Sequence, residues 1–329
     1  MKRFVVILVA VALLGVAPQA WSINWPGLEN DFEVFVESLG REMVPHLQQA
    51  SLLGDGMYDA QKGNMGNFYV AVTTGAVLSN GFKDNVDTGE YDILDVPGLM
   101  EDAFSELTPP LDAAYDTLFP YPVIRVALGF SLKDYQFGAL VAGMPSQVVD
   151  SATDGEVASS ALNLGLRARK YVLPEQRVLP AISLGLGYTF STIGVSYQMD
   201  DFSQDFGGST LGIEGDLSLS STVNTMGLDL TASKTLAFFV PYVRVSPYVQ
   251  RSRFAGVAEN FEANLGTGEK YSDNPNTDDP EGEVISYDMA LMLSTGFDIK
   301  IWTGGIFVHG NYSTGTNAFG ADVGFRIAF

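Results

Sequence analysis

The chain has 329 residues, with 18 Lys or Arg, 39 Asp or Glu and no Cys, for a net charge of −21. That acidity excludes a phosphate-binding nucleic-acid surface, which needs clustered cations, and the missing cysteines exclude a disulfide scaffold or a thiolate metal site. Glycine (35) and aromatics (21 Phe, 14 Tyr) are abundant while mean hydropathy is only +0.13, so the apolar residues are dispersed rather than gathered in blocks.

The chain opens MKRFVVILVAVALLGVAPQAWS. Lys2 and Arg3 precede an apolar run from Phe4 to Ala17, and small residues follow around Ala20 and Ser22. This predicts a secretory signal peptide over residues 1–22, cut after Ala20 or Ser22. The run is too short for a comfortable membrane anchor, which takes ~20 residues. Losing Lys2 and Arg3 makes the mature chain more acidic still.

Over residues 27–53, Phe32, Phe35, Val36, Leu39 and Met43 recur at three- and four-residue spacing, an amphipathic helical stripe. Pro26 suits its start, and Pro45 is expected to end or kink it. Such a helix packs either on the outside of a domain or inside the mouth of a barrel. Residues 23–65 are therefore read as an N-terminal helical, plug-like segment.

From residue 66 the period becomes two. Phe68, Val70, Val72, Thr74 and Ala76 share one strand face. Ile124, Val126, Leu128, Phe130 and Leu132 share another, with Arg125, Ala127, Gly129 and Ser131 behind them. The same alternation recurs along Leu162–Ala168, Leu184–Phe190, Met226–Leu230, Val243–Val249, Tyr287–Phe297 and Phe319–Phe329. One face is apolar throughout, and the other mixes Gly with Arg, Asp, Asn and Ser. That pattern favours a membrane barrel over a soluble sandwich, whose second face has no need of glycine.

The expected strands are 66–78, 121–132, 135–144, 158–172, 178–190, 192–203, 211–222, 224–234, 238–252, 284–300, 304–314 and 317–329. Short turns fall at Lys133-Asp134, 173–177, 233–236 and 302–304, and longer loops at 79–120, 145–157 and 253–283. A helical piece is expected within 100–119. Short turns on the periplasmic side place both termini there; the connection 203–212 is long for that side.

With two histidines, His46 and His309, multi-His metal sites are excluded. The stretch DNPNTDDPEGEV at 273–284 superficially resembles a calcium loop but lacks its sixth-position Gly and carries Pro275 and Pro280, so it reads as a solvated acidic loop. His309, Asn311 and Ser313 share a face, the residue set of the outer-membrane phospholipase family, and any polar lumen strand would show such residues. Arg125, Arg167, Arg169, Arg244 and Arg326, with Asp229, Asp288, Asp298 and Asp322, fall on the polar faces. They read as lumen ion pairs bracing the barrel, or as a path for an anionic or amphipathic solute.

The exported start, the alternating strands and the ending on Val323, Phe325, Ile327 and Phe329 together resemble Gram-negative-type outer-membrane β-barrel proteins. In that class such an ending is the recognition signal for the barrel-assembly machinery. The helical segment followed by SLLGDGMYDAQKGNMGNFYVAV is similar to barrels related to the long-chain fatty-acid transporters, which implies an N-terminal hatch and an apolar ligand leaving sideways into the membrane. The chain lacks an Asn-Pro-Ala hatch motif and is short for fourteen strands, so no ligand residues carry over.

The resulting expectation is an all-β chain. It is a transmembrane antiparallel barrel of twelve strands (alternatively fourteen) over 66–329, preceded by the plug segment and the signal peptide. It is expected to be a monomer in the cell outer membrane, contacting outer-membrane lipid and lipopolysaccharide and assembled by the barrel machinery, without cofactor or metal. Its expected role is passage or uptake of a hydrophobic or amphipathic small molecule such as a fatty acid, and not enzymatic. The alternatives are a structural or adhesive surface barrel and a barrel lipase using Ser313 and His309.

Overall fold

A computed structural model describes residues 25–52, 57, 59–60, 68–78, 87–91, 120–144, 157–206, 209–265 and 281–329. Among the described residues one helix, α1 (Trp25–Leu52), precedes ten strands: β1 (Phe68–Leu78), β2 (Pro120–Leu132), β3 (Tyr135–Met144), β4 (Val157–Leu173), β5 (Ala181–Phe206), β6 (Ser209–Ser233), β7 (Phe239–Leu265), β8 (Glu281–Ile301), β9 (Gly304–Ser313) and β10 (Ala318–Ala328). Each strand pairs antiparallel with its sequence neighbour, and β1 pairs with β10 to close the barrel. At the seam the Phe68 and Phe329 backbones exchange two hydrogen bonds, 2.8 and 3.2 Å, and their rings lie 6.2 Å apart.

The barrel is inside out relative to a soluble protein. On β2, Ile124, Val126, Leu128, Phe130 and Leu132 are exposed while Arg125 and Ala127 are buried. On β10, Val323, Phe325, Ile327 and Phe329 are exposed while Asp322 and Arg326 are buried. A continuous apolar outer face is stable only against lipid, and a closed barrel leaves no unpaired strand edge there. No helix among the described residues is long and apolar enough to cross a membrane; the strands cross it. The fold is that of an outer-membrane β-barrel.

The strand count of ten corrects the expectation of twelve or fourteen. The expected strands 178–190 and 192–203 are one strand of 26 residues, β5, and 211–222 with 224–234 are one strand of 25, β6. Their register runs unbroken through Ser191↔Val223, with one irregularity at Met199/Phe202. The expected breaks at 191 and 223 mark the height at which the outer face stops being apolar. Below it stand Leu184, Leu186, Met226 and Leu228; above it come Thr192, Ser196, Ser220 and Thr222. Apolar alternation is a signal of lipid contact, so it fades where a strand leaves the bilayer although the backbone continues.

The strands therefore have two heights. β1, β3, β9 and β10 have 10 or 11 residues, which at ~3.3 Å per residue and ~40° tilt rise about 25 Å, the thickness of the apolar band. β5 to β8 have 21 to 27 residues and stand well above them as a tall wall. One end of the barrel, the turn end, carries the short connections 133–134, 174–180, 234–238 and 302–303 together with Phe68 and Phe329. Three of these turns place a non-glycine residue at positive φ, namely Lys133, Ala237 and Trp302. The strand ends Leu78, Pro120, Met144, Val157, Phe206, Ser209, Leu265, Glu281, Ser313 and Ala318 lie at the opposite, loop end. The facing ends of β5 and β6, Phe206 and Ser209, are there, not on the short-turn side to which 203–212 was assigned. The helical piece expected within 100–119 and most of the acidic stretch 273–284 lie outside the described residues.

Helix α1 buries the expected stripe, with Phe32, Phe35, Val36 and Leu39 all at most 3% exposed. It does not end at Pro45 but continues to Leu52. A mid-helix Pro forfeits one backbone hydrogen bond, and the burial of Val44, His46, Gln49 and Ala50 around it holds the helix together. The helix leans on the tall wall: Val36 packs on Gly256 of β7 and Gly282 of β8, where any Cβ would come within 3 Å of it. It then descends towards the turn end. Gln49 donates to Asn311 Oδ1 (2.7 Å) and to the Ala318 carbonyl (3.1 Å), at the rim of the short strands.

Candidate functional site

Met57, Asp59 and Ala60 lie inside the barrel. Met57 packs in an apolar cluster with Tyr69, Ala71, Ala127, Leu140, Tyr242 and Phe307, all pointing inward from the wall. Glycines make room for the large members. Tyr69 lies across Gly129, where a Cβ would fall 2.0 Å from its ring, and Phe307 lies across Gly324.

Around this cluster the wall supplies charge. Asp59 accepts from Lys300 Nζ (2.9 Å) on one oxygen and from the Ser233 hydroxyl (3.0 Å) on the other. The Ala60 N–H donates to Ser233 Oγ (2.8 Å), and Arg244 donates to the Met57 carbonyl. Groups from β6, β7 and β8 thus hold Met57, Asp59 and Ala60 in place, as a strap across the lumen. Arg169 pairs with Asp229 (3.3 Å), which also accepts from Thr231 (3.1 Å), and Thr231 in turn accepts from Arg244 Nε (3.1 Å). Arg326 is bound to Asp298, and His309 Nδ1 to Asp322 (2.8 Å), with Phe307 stacked on the imidazole at 4.8 Å. Buried charges persist only when paired and hydrogen-bonded; these three pairs each draw their partners from different strands.

Of the sequence-derived residues, Arg125, Arg169, Arg244, Arg326, Asp229 and Asp322 are buried on the lumen side. Arg167 is half-buried and donates to the Leu52 carbonyl at the end of α1 (3.2 Å). Asp288 stands apart: it lies on β8 above the last residue paired with β9, and accepts from Gln250 (2.8 Å) and Ser286 (2.9 Å). Asp59 escaped sequence reasoning because the strap has no periodicity, and Lys300 was not singled out although it shares the polar face of its strand with Asp298. Ser313, fully buried, shares a short hydrogen bond with Tyr248 Oη (2.7 Å) and accepts from the Gly315 N–H (3.2 Å). Its hydroxyl partners are therefore not His309, and the Ser313/His309 pair of a lipase is not assembled.

The wall carries a second feature. One hydrogen-bonded row runs Gly129, Gly138, Arg167, Gly187, Gly227 across β2 to β6. Along it a cavity of about 480 Å³ opens on the lipid-facing side, lined by Phe68, Leu128, Phe137, Leu166, Leu186 and Met226 among others, and also by Arg167. The Arg167 side chain lies over Gly187, 3.4 Å from where a Cβ would sit. At this row the partition between membrane and lumen is little more than backbone.

No family model matches the chain, and no curated protein matches it. Solved structures do. The outer membrane protease OmpT from Escherichia coli is 10% identical, covering 81% of this chain and 98% of its own, with a TM-score of 0.38. The translocator domain of autotransporter NalP from Neisseria meningitidis is 10% identical, covering 90% and 96%, with a TM-score of 0.31. The monoaromatic hydrocarbon channel CymD is 8% identical, covering 89% and 93%, with a TM-score of 0.27. The expectation that this chain is not an enzyme is corrected by the first of these, an outer-membrane barrel that is a protease. What the chain shares with all three is the outer-membrane β-barrel fold.

Proposed function

We propose that the chain is exported by a cleaved signal spanning 1–22, sits in the outer membrane with its turn end towards the periplasm, and passes a hydrophobic or amphipathic small molecule. One observation carries this reading. Arg167, which stands on the row beneath the apolar cavity and points into the lumen, is the group that holds the last carbonyl of α1. An amphiphile whose acidic head crossed the thin wall from that cavity into the lumen would offer Arg167 a carboxylate, a stronger acceptor than a backbone carbonyl. The exchange would free the end of α1 and loosen the strap below it. Ligand entry and plug movement are thereby linked through one guanidinium.

The test is uptake of a labelled medium-chain fatty acid, and of the alcohol of equal length, by cells displaying the chain. Arg167→Leu is expected to lower uptake of the acid several-fold and to leave the alcohol nearly unchanged. Acid uptake no higher than in cells lacking the barrel overturns the reading. A second reading, a structural barrel whose lumen stays shut, is supported by the ion pairs that line the lumen, and it predicts that null result.

A further inference from the structure

We propose that the outer wall carries a binding site for a phosphorylated, multiply acylated lipid of the outer leaflet, with Arg251 as its phosphate ligand. This site is separate from the cavity at Arg167 and independent of any transport through the lumen. On β7 the lipid-facing residues are Val243, Val245, Pro247 and Val249, and the next two are Arg251 and Arg253. The apolar band of the tall wall ends at Val249, so the two arginines stand where lipid head groups begin. Tyr188 and Tyr287, both exposed, lie beside them at the same level, as aromatic residues do at membrane interfaces.

A hollow of about 430 Å³ lies at this height, with Tyr188, Met226, Val249, Tyr287 and Met289 as its apolar sides and Arg251 at its edge. These side chains are 45 to 80% exposed, an apolar surface that acyl chains would cover. The two arginines differ in what they touch. Arg253 is clamped by Glu283 through two bonds of 2.9 Å, so its charge is spent within the protein. Arg251 instead lies over the Tyr287 ring, 5.7 Å from its centroid, and no carboxylate among the described residues forms an ion pair with it. Asp288 also lines the hollow, but one of its oxygens already accepts from both Gln250 and Ser286.

A guanidinium held over an aromatic ring and not engaged by a carboxylate keeps its N–H donors for a phosphate, which it can bind bidentately. On a chain of net charge −21, a general cationic attraction does not account for lipid binding at this point. The match is local: one arginine for a phosphate, one greasy hollow for chains. In an outer membrane the outer leaflet supplies that chemistry as lipopolysaccharide.

The experiment uses the full barrel in nanodiscs and compares bis-phosphorylated lipid A with its dephosphorylated form by native mass spectrometry. The wild type is expected to retain the phosphorylated form about five- to tenfold more, the size of one charge-assisted contact at an interface. Arg251→Gln is expected to abolish that preference, whereas Arg253→Gln keeps it. Heat-modifiable gel mobility verifies that both variants are folded. Equal retention of the two lipids by the wild type, or an unchanged preference in Arg251→Gln, overturns the proposal. So does equal competition by an ordinary phospholipid, which would show a non-selective surface.

Discussion

The N-terminal segment is held by two regions of opposite character. At the loop end, α1 meets the tall wall through aliphatic and aromatic side chains, with Val36 seated directly on Gly256 and Gly282. At the turn end, Met57, Asp59 and Ala60 are held by Lys300, Ser233, Arg244 and Arg169. Apolar burial is non-directional and indifferent to small ions. Ion pairs and hydrogen bonds have definite partners and can be exchanged for others. The difference assigns roles: the upper contact anchors, and the lower contact is the part that a competing ligand can undo.

The largest expected effect comes from attacking the anchor. Phe35 is 1% exposed, and Phe35→Ala should weaken helix docking by about 3–5 kcal/mol, read as faster hydrogen exchange along α1 with the barrel strands unchanged. Uniform acceleration throughout the barrel would show that the two regions are one unit. Next comes the strap. Asp59→Ala strips Lys300 and Ser233 of a shared acceptor and should cost about 1–3 kcal/mol. It is expected to open the lumen while α1 stays docked, seen as ion conductance in planar bilayers that the parent chain lacks. The smallest effect lies outside both regions, at the turn end, and serves as a control. Partial burial pushes the Glu175 carboxyl up, but the Thr235 N–H and hydroxyl together with Lys234 outweigh it and hold its pKa below the ordinary range. A depressed carboxyl stabilises the folded state above its unfolded pKa and loses that contribution as pH falls through the folded value. Acidification should therefore speed exchange in the 174–180 turn, and Glu175→Gln should remove that dependence without affecting conductance.

Much of the fold was legible because lipid writes a strict rule into a strand. Ile124 to Leu132 and Val323 to Phe329 could be assigned to the outer face residue by residue. The rule lapses above the membrane, which is why β5 and β6 each read as two strands. The helix stripe was legible by its period, but not its length, because the packing around Pro45 is tertiary. Within the site, the wall arginines and aspartates could be assigned to the lumen by parity alone. Their partners could not: pairing Arg169 with Asp229 or Arg326 with Asp298 needs the order of strands around the barrel. Asp59, on a segment with neither helical nor strand period, had nothing local to mark it.

The Phe68–Phe329 seam has a consequence for how the molecule is made. It joins the first strand to the last, so the cylinder cannot shut until the entire chain is in place, and closure of so non-local a contact is slow. Met57 and the strap fill the middle of that cylinder and lie immediately before β1. The hypothesis is that the strap settles while the wall is still an open sheet, and β10 then locks it in. Pulse-labelled chains should show residues 57–60 protected from protease before the Phe68–Phe329 pairing forms, and the reverse order would refute this. The last strand is then a door as well as a wall, and its closing fixes what has been left inside.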